Sequence, residues 1–126
     1  MADDWAQVEA KFRRIVAESD PPFDGETIAN AKDFLKYLRE RTPVPVIGRG
    51  YWPTLGIWWE YDPATQPQTM VQFEVFNSRI EIQVFKYEGP ELAAACVSIQ
   101  YAAHKAGDPF PPEIEAEMPP NRSWVS

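Results

Sequence analysis

The first forty residues place apolar side chains three or four positions apart, which is the spacing of one face of an α-helix. This pattern predicts two amphipathic helices, one over residues 3–19 and a second that begins between Asp24 and Thr27 and ends near Arg41. A Pro-Pro pair separates them, because proline cannot continue the hydrogen-bond ladder of a helix, and Asp24 or Thr27 can cap the second helix. The predicted inner stripes are Trp5, Val8, Phe12, Ile15 and Val16 in the first helix and Ile28, Ala31, Phe34, Leu35 and Leu38 in the second.

From Thr54 onward, apolar and polar residues alternate, which is typical of half-buried β-strands. The alternation predicts three strands, over residues 55–61, 69–76 and 79–87. Asn77-Ser78 predicts a two-residue hairpin loop between the last two, so the three strands form an antiparallel meander. This register gives the sheet one apolar face that packs against the helices. The residues of that face are Val71, Phe73, Val75, Ile80, Ile82 and Val84.

Small apolar residues follow the strands and predict a third helix from Gly89 to Ala106, with Pro90 in its first turn. Small side chains allow a helix to pack closely on a sheet. The stripe of this helix is expected to contain Leu92, Ala95, Cys96, Ile99, Ala102, Ala103 and Ala106.

The last segment, residues 107–126, is rich in proline and acidic residues and cannot build a core of its own. We expect an extended tail, pinned by Phe110 or Trp124, after a single domain over residues 1–106. The predicted fold class is therefore α+β in the order α-α-β-β-β-α, with a three-stranded antiparallel meander packed on helices.

Charge narrows the range of partners. The chain has 126 residues, with 19 acidic and 12 basic side chains and a formal net charge of −7 at pH 7. Residues 51–126 hold most of the excess, with ten acids against four bases. Nucleic acid is not an expected partner, because its binding depends on many Lys and Arg contacts to phosphates. A protein with a basic surface is the partner that this charge favours.

Several classes of protein are excluded by composition. One cysteine and one histidine are too few for the common zinc sites, and no metal or cofactor is expected. No apolar run approaches the roughly 20 residues of a membrane-spanning helix. A single cysteine, together with a start that lacks the pattern of a secretory signal, predicts a cytoplasmic location.

The hairpin register places Glu74 directly opposite Glu81, and Glu60 is expected on the same outer face of the sheet. Like charges across a strand pair destabilise a sheet slightly, so their presence suggests a function. Aromatic and Met side chains rimmed by acids are typical of protein-binding surfaces. The predicted partner-binding residues are Trp58, Glu60, Met70, Gln72, Glu74, Glu81, Gln83 and Phe85.

Other interpretations of this face stay open. The acids could form the paired-carboxylate site of a small enzyme, or a solvated face that Arg79 or Lys86 neutralises. A helix or the tail could cover the face, and a second copy of the chain could bind there in a homodimer or a structural homo-oligomer. Because no Ser, His or Lys cluster accompanies the acids, no catalytic residue is assigned.

Three further features have potential for chemistry and are interpreted as structural. Gly48-Arg-Gly50 could cradle an anion, but it precedes a strand rather than a helix, so a chain bend between prolines is predicted. His104 is expected to cap carbonyls or face solvent. Cys96 is expected to be a small buried apolar residue.

Four motifs lie in order along residues 28–85: the helix with Phe34-Leu-Lys-Tyr-Leu38, the Pro-Val-Pro-Val link, the strand Ile57-Trp-Trp-Glu60 and the hairpin that begins at Val71. Together they resemble a widespread group of short, uncharacterised bacterial proteins. The resemblance implies no catalytic residues. It suggests an antitoxin, an immunity protein or another inhibitor, and therefore a protein-binding module that does not act as an enzyme.

Overall fold

The computed structural model describes residues 4–59, 69–88 and 93–117. Within them, two helices precede a five-stranded antiparallel sheet in which the strands are neighbours in chain order, and a short helix follows. This arrangement confirms the α+β class. The elements are α1 (Asp4–Glu18), α2 (Gly25–Arg39), β1 (Val46–Arg49), β2 (Leu55–Trp58), β3 (Thr69–Val75), β4 (Arg79–Glu88), β5 (Ala93–Ala103) and α3 (Pro112–Glu117).

The two long helices lie where the spacing predicts them. Asp24 caps α2, and its carboxylate accepts a hydrogen bond from the main-chain N–H of Thr27 at 2.7 Å. This contact satisfies one of the N–H groups that the first turn of a helix leaves without an internal partner. At the other end of α2, Thr42 donates from its hydroxyl to the carbonyl of Leu38 at 3.1 Å.

The hairpin of β3 and β4 has the predicted register. Phe73 lies opposite Ile82, Val75 lies opposite Ile80, and Phe76 donates its N–H to the carbonyl of Arg79 across the two-residue loop. These four core side chains are at most 1% exposed. Because side chains alternate between the faces of a strand, the next residues along β3 and β4 must point away from the helices.

The core lies between the helices and the inner face of the sheet. The Phe34 ring of α2 meets the Phe73 ring edge-on, with centroids 5.3 Å apart, and the buried Trp59 ring lies edge-on to Phe73 from the end of β2. Trp59 donates its indole N–H to the carbonyl of Pro43 at 2.9 Å. The core thus accommodates the polar atom of its largest side chain without leaving it unpaired.

The predicted third helix is wrong. Residues 93–103 form β5, which pairs with β4 along its length and has one irregularity beside Val84 and Phe85. The segment contains many alanines, which favour helices, yet Val97, Ile99 and Tyr101 alternate with smaller residues in the manner of a strand. Pairing with the ten-residue β4 provides a partner for its backbone and overrides the local preference.

The link before β2 also contains a strand that the sequence did not predict. Gly48 and Arg49 belong to β1, which pairs with β2 from Val46 opposite Trp58 to Arg49 opposite Leu55. The predicted bend at Gly48-Arg-Gly50 is therefore wrong. Prolines flank this strand rather than interrupt it, so its N–H groups remain available for pairing. The predicted three-stranded meander becomes the centre of a five-stranded sheet.

The segment after β5 packs on the core. Phe110 stacks on Tyr37 with centroids 3.9 Å apart, in agreement with its predicted role as an anchor, and Ile114 is fully buried. The tail was expected to be extended, but residues 112–117 form the short α3. Trp124, the other predicted anchor, lies outside the described residues.

Candidate functional site

The outer face of the sheet is the face turned away from the core. All three helices contribute buried side chains to the core on the inner face, so none of the described helices covers the outer one. Two rows of side chains cross this face from β1 to β5. One row is Val46, Trp58, Gln72, Gln83 and Ile99, and the other is Gly48, Gly56, Glu74, Glu81 and Tyr101.

Trp58 lies over two glycines of the neighbouring row. A Cβ atom added at Gly48 would lie 3.1 Å from the Cη2 atom of the Trp58 ring, and one added at Gly56 would lie 3.6 Å from its Cζ3 atom. The indole therefore occupies the space that side chains would take at these positions. Large aromatic side chains that cover glycines compensate for the packing that a sheet loses there. This contact leaves Trp58 half-buried on the outer face.

Glu74 is held in place rather than free in solvent. Its side chain is on the outer face but only 7% exposed. One carboxylate oxygen accepts a hydrogen bond from the Thr54 hydroxyl at 2.5 Å, and the other accepts one from the Gln83 amide at 3.1 Å. A buried carboxylate needs such donors, because removing it from water without them is costly. Glu74 is thus built into the sheet.

Gln83 hydrogen bonds to both of the opposed acids, Glu74 and Glu81. Its amide nitrogen donates to Glu74 and also to Glu81, the latter at 2.9 Å. Each amide hydrogen can serve one carboxylate, so a neutral group bridges two negative charges. No cation pairs with either acid among the described residues. The two glutamates therefore lie on one patch of the sheet and share a single neutral donor.

Arg79 does not neutralise the acids. Its guanidinium lies over the Phe76 ring, 4.1 Å from the centroid, and 5.1 Å from the centroid of Tyr101. Stacking on aromatic rings is a common role for arginine. Lys86, the other predicted neutralising residue, belongs to β4, but its side chain lies outside the described part.

The edge strand β5 adds two apolar side chains to the outer face. Ile99 is 52% exposed and Tyr101 is 63% exposed. Tyr101 lies directly opposite Glu81, and Ile99 lies opposite Gln83. A half-exposed acid thus neighbours a large exposed aromatic ring. Such a combination favours contact with another macromolecule over acid/base chemistry, which needs a pocket.

The structure brings most of the predicted site together. Trp58, Gln72, Glu74, Glu81 and Gln83 share the outer face. The alternation along β4 places Phe85 on the same face, and Met70 lies opposite it in the strand register. Glu60 lies outside the described residues.

Sequence reasoning missed four contributors to this site. Ile99 and Tyr101 were assigned to a helix, although the alternation of Val97, Ile99 and Tyr101 was a signal for a strand. Thr54 and Gly50 were missed because their contacts with Glu74 depend on a turn between β1 and β2. Gly50 donates its N–H to the carbonyl of Thr54 at 2.8 Å across that turn.

Of the two environments predicted for His104, contact with carbonyls agrees with the structure, since its Nε2 atom lies 3.1 Å from the main-chain carbonyl oxygen of Asp108. His104 is 1% exposed, and its Nδ1 atom lies 2.8 Å from the side-chain oxygen of Asn30. A position facing solvent is therefore wrong. No cluster of three or more His, Cys, Asp or Glu side chains suited to a metal ion occurs among the described residues. Within the same residues, no helix has the length and apolar character that crossing a membrane requires.

Comparison with protein-family models, curated proteins and solved structures gave no significant match. The resemblance to short bacterial proteins therefore stays a prediction.

Proposed function

We propose that this protein is a cytoplasmic protein-binding module of the antitoxin, immunity or inhibitor type. Its outer face is proposed to bind a partner with a basic surface. The observation that carries the proposal is the position of Tyr101 and Ile99, both more than half exposed, beside Glu81, which has no cation partner among the described residues. The cytoplasmic location is supported by the single cysteine, which cannot form a disulfide within the chain.

Apolar and charged groups of the outer face have different roles in the proposed binding. Tyr101 and Ile99 provide apolar area that loses contact with water in a complex, and this area is the main source of affinity. Glu81 provides a negative charge that would orient a Lys or Arg of the partner and raise the association rate. Glu74 is too buried for direct contact and acts by holding Gln83 in position.

Charge reversal at the half-buried Glu81 tests the proposal. Tagged wild-type protein is used to isolate a partner from extract of the native cells, and its affinity for the purified partner is then measured at two salt concentrations. We expect Glu81→Lys to weaken binding about tenfold, with most of the loss in the association rate. Glu18→Lys makes the same charge change at the exposed end of α1 and should leave the affinity unchanged.

Two results would contradict the proposal. One is a partner that binds Glu81→Lys and the wild type equally at low salt, where exposed charges act most strongly. The other is the failure of any protein to bind the outer face, judged by an unchanged affinity after Tyr101→Ala.

A homodimer is a second candidate, favoured by the position of β5. This strand is eleven residues long and forms the edge of the described sheet, with Ile99 and Tyr101 exposed along it. An exposed edge strand can pair with the same strand of a second copy. Sedimentation equilibrium distinguishes the two candidates, since a homodimer requires a mass twice that of the chain and a shift to monomer after Ile99→Lys.

A further inference from the structure

The side of the molecule that carries the helices has a groove of opposite character to the outer face. It lies between α1 and α2 and has a volume of about 350 Å³. Its floor is apolar and consists of Phe12 from α1 and Leu35 from α2, which are 4% and 5% exposed. Arg39 and Glu9 close one end as an ion pair at 3.2 Å.

Three cations line this groove without a carboxylate partner among the described residues. They are Arg13 from α1 and Lys32 and Lys36 from α2, and all three are exposed. Lys32 and Lys36 are four residues apart, so they lie on the same side of α2 about one helical turn from each other. In a chain of net charge −7, this is a local concentration of positive charge.

We propose that the groove binds an acidic, amphipathic helical segment of a partner protein. Two carboxylates one turn apart on that segment match the spacing of Lys32 and Lys36, and Arg13 faces them from the other wall. Apolar side chains along the neighbouring edge of the segment contact Phe12 and Leu35. This site is separate from the outer face and does not depend on the function proposed for it.

Charge and shape favour this occupant over other anions. A nucleic acid would need many phosphate contacts, and the three cations that line the described groove supply too few. An anionic membrane attracts clusters of four to eight basic residues beside a hydrophobic face that enters the lipid, whereas the described part of this groove presents three cations without a carboxylate partner. A helix lying in a groove uses both the apolar floor and the charged walls.

A designed peptide pair tests the charge requirement. The probe is a fluorescent peptide of about 15 residues, long enough to form a helix, with Glu pairs one turn apart along one edge and Leu along the adjacent edge. The matched peptide carries Gln in place of every Glu. We expect the full-length wild-type protein to bind the Glu peptide about tenfold more tightly than the Gln peptide, as measured by fluorescence anisotropy.

Protein variants locate the binding. The double variant Lys32→Gln, Lys36→Gln should lose this tenfold preference. The control is Lys11→Gln, Lys105→Gln, which removes two exposed lysines from outside the groove and should retain it. Thermal unfolding of both variants confirms that the fold is intact.

The proposal fails if the two peptides bind equally, if neither binds, or if the control variant loses as much affinity as the groove variant. It also fails if phosphatidylserine vesicles bind through Lys32 and Lys36 while the Glu peptide does not, because the groove would then recognise lipid.

Discussion

Asn30 of α2 and His104 at the end of β5 hydrogen bond to each other in the interior, with 2.8 Å between Oδ1 of Asn30 and Nδ1 of His104. The Asn30 amide nitrogen also donates to the carbonyls of Phe76, at 2.8 Å, and of His104, at 3.0 Å. These donations fix the orientation of the amide, so its oxygen faces the imidazole and accepts from it. One buried side chain thus joins α2, the β3–β4 hairpin and the end of β5.

Removal of this amide should be costly. Asn30→Ala leaves the His104 ring nitrogen and two main-chain carbonyls without their partner in a buried position. We expect the free energy of unfolding to fall by about 2–3 kcal/mol, because buried polar groups without partners lose their hydration and gain nothing in return. Urea denaturation measures this change. Lys32→Ala, an exposed change on the same helix, is the control and should cost less than about 0.5 kcal/mol. Equal stability of the two variants would mean that water replaces the amide.

The two opposed acids should differ in their effect on stability. Glu74→Lys places a cation where the side chain is 7% exposed and removes the acceptor of Thr54 and Gln83. We expect a loss on the order of 3 kcal/mol. Glu81→Lys changes a half-exposed residue and should cost less than about 1 kcal/mol. Denaturant unfolding of both variants checks the difference.

This contrast corrects an expectation from the sequence. Strand alternation places Glu74 and Glu81 on the same outer face and does not distinguish their burial. The contacts of Glu74 predict that its charge reversal, alone or together with that of Glu81, destabilises the fold. Comparable stability of Glu74→Lys and Glu81→Lys would show that the hydrogen bonds to Glu74 contribute little.

The register of β3 and β4 was predictable, whereas β5 was not. Phe73 and Ile82 alternate with polar residues around a two-residue loop, and shifting their register by one residue would expose the whole apolar set. No comparable constraint acts on residues 93–103. Their alanines are compatible with a helix or a strand. The strand forms because the edge of β4 would otherwise lack a backbone partner on that side. That edge is a tertiary feature, which local spacing does not contain.

The candidate site on the outer face, like the fold, was predictable only where it depends on strand alternation. Trp58, Gln72 and Glu81 follow from strand alternation. The packing of Trp58 on Gly48, and the hydrogen bond from Thr54 to Glu74, require β1 and its turn to be in place. Sequence spacing therefore predicts which residues lie on the outer face. It does not predict which of them are exposed enough to contact a partner.

Gly50 should tolerate no side chain, because it lies against the Glu74 cluster. A Cβ atom there would lie 2.2 Å from the Thr54 hydroxyl oxygen and 2.6 Å from a carboxylate oxygen of Glu74. We expect Gly50→Ala to lower stability by about 1–3 kcal/mol, since the added methyl displaces a hydrogen-bonded pair. Differential scanning calorimetry measures the shift.

Gly25, the first residue of α2, provides the matched comparison. No atom lies within 4 Å of the position that its Cβ would take. Gly25→Ala should raise stability by about 0.4–1 kcal/mol, because alanine restricts the unfolded chain more than glycine does. A similar loss in both variants would contradict the proposed clash at Gly50.

The cap of α2 should make stability depend on pH in the acid range. The main-chain N–H of Thr27 donates to the Asp24 carboxylate and lowers the pKa of Asp24 below its ordinary value of 3.8. A carboxyl group whose pKa is lower in the folded state stabilises the protein fully above its unfolded pKa, and this contribution is lost as the pH falls through the folded pKa.

At neutral pH, Asp24→Ala should cost about 1 kcal/mol, the usual value of such a cap. The difference between wild type and Asp24→Ala should stay constant down to about pH 5 and shrink below about pH 4. Asp24→Asn supplies a capping oxygen that does not titrate, so its advantage over Asp24→Ala should persist in acid. Urea unfolding measures the free energy of unfolding of the three proteins across this pH range. If Asp24→Ala is still about 1 kcal/mol less stable than wild type at about pH 2, the charged carboxylate is not the source of the cap's contribution.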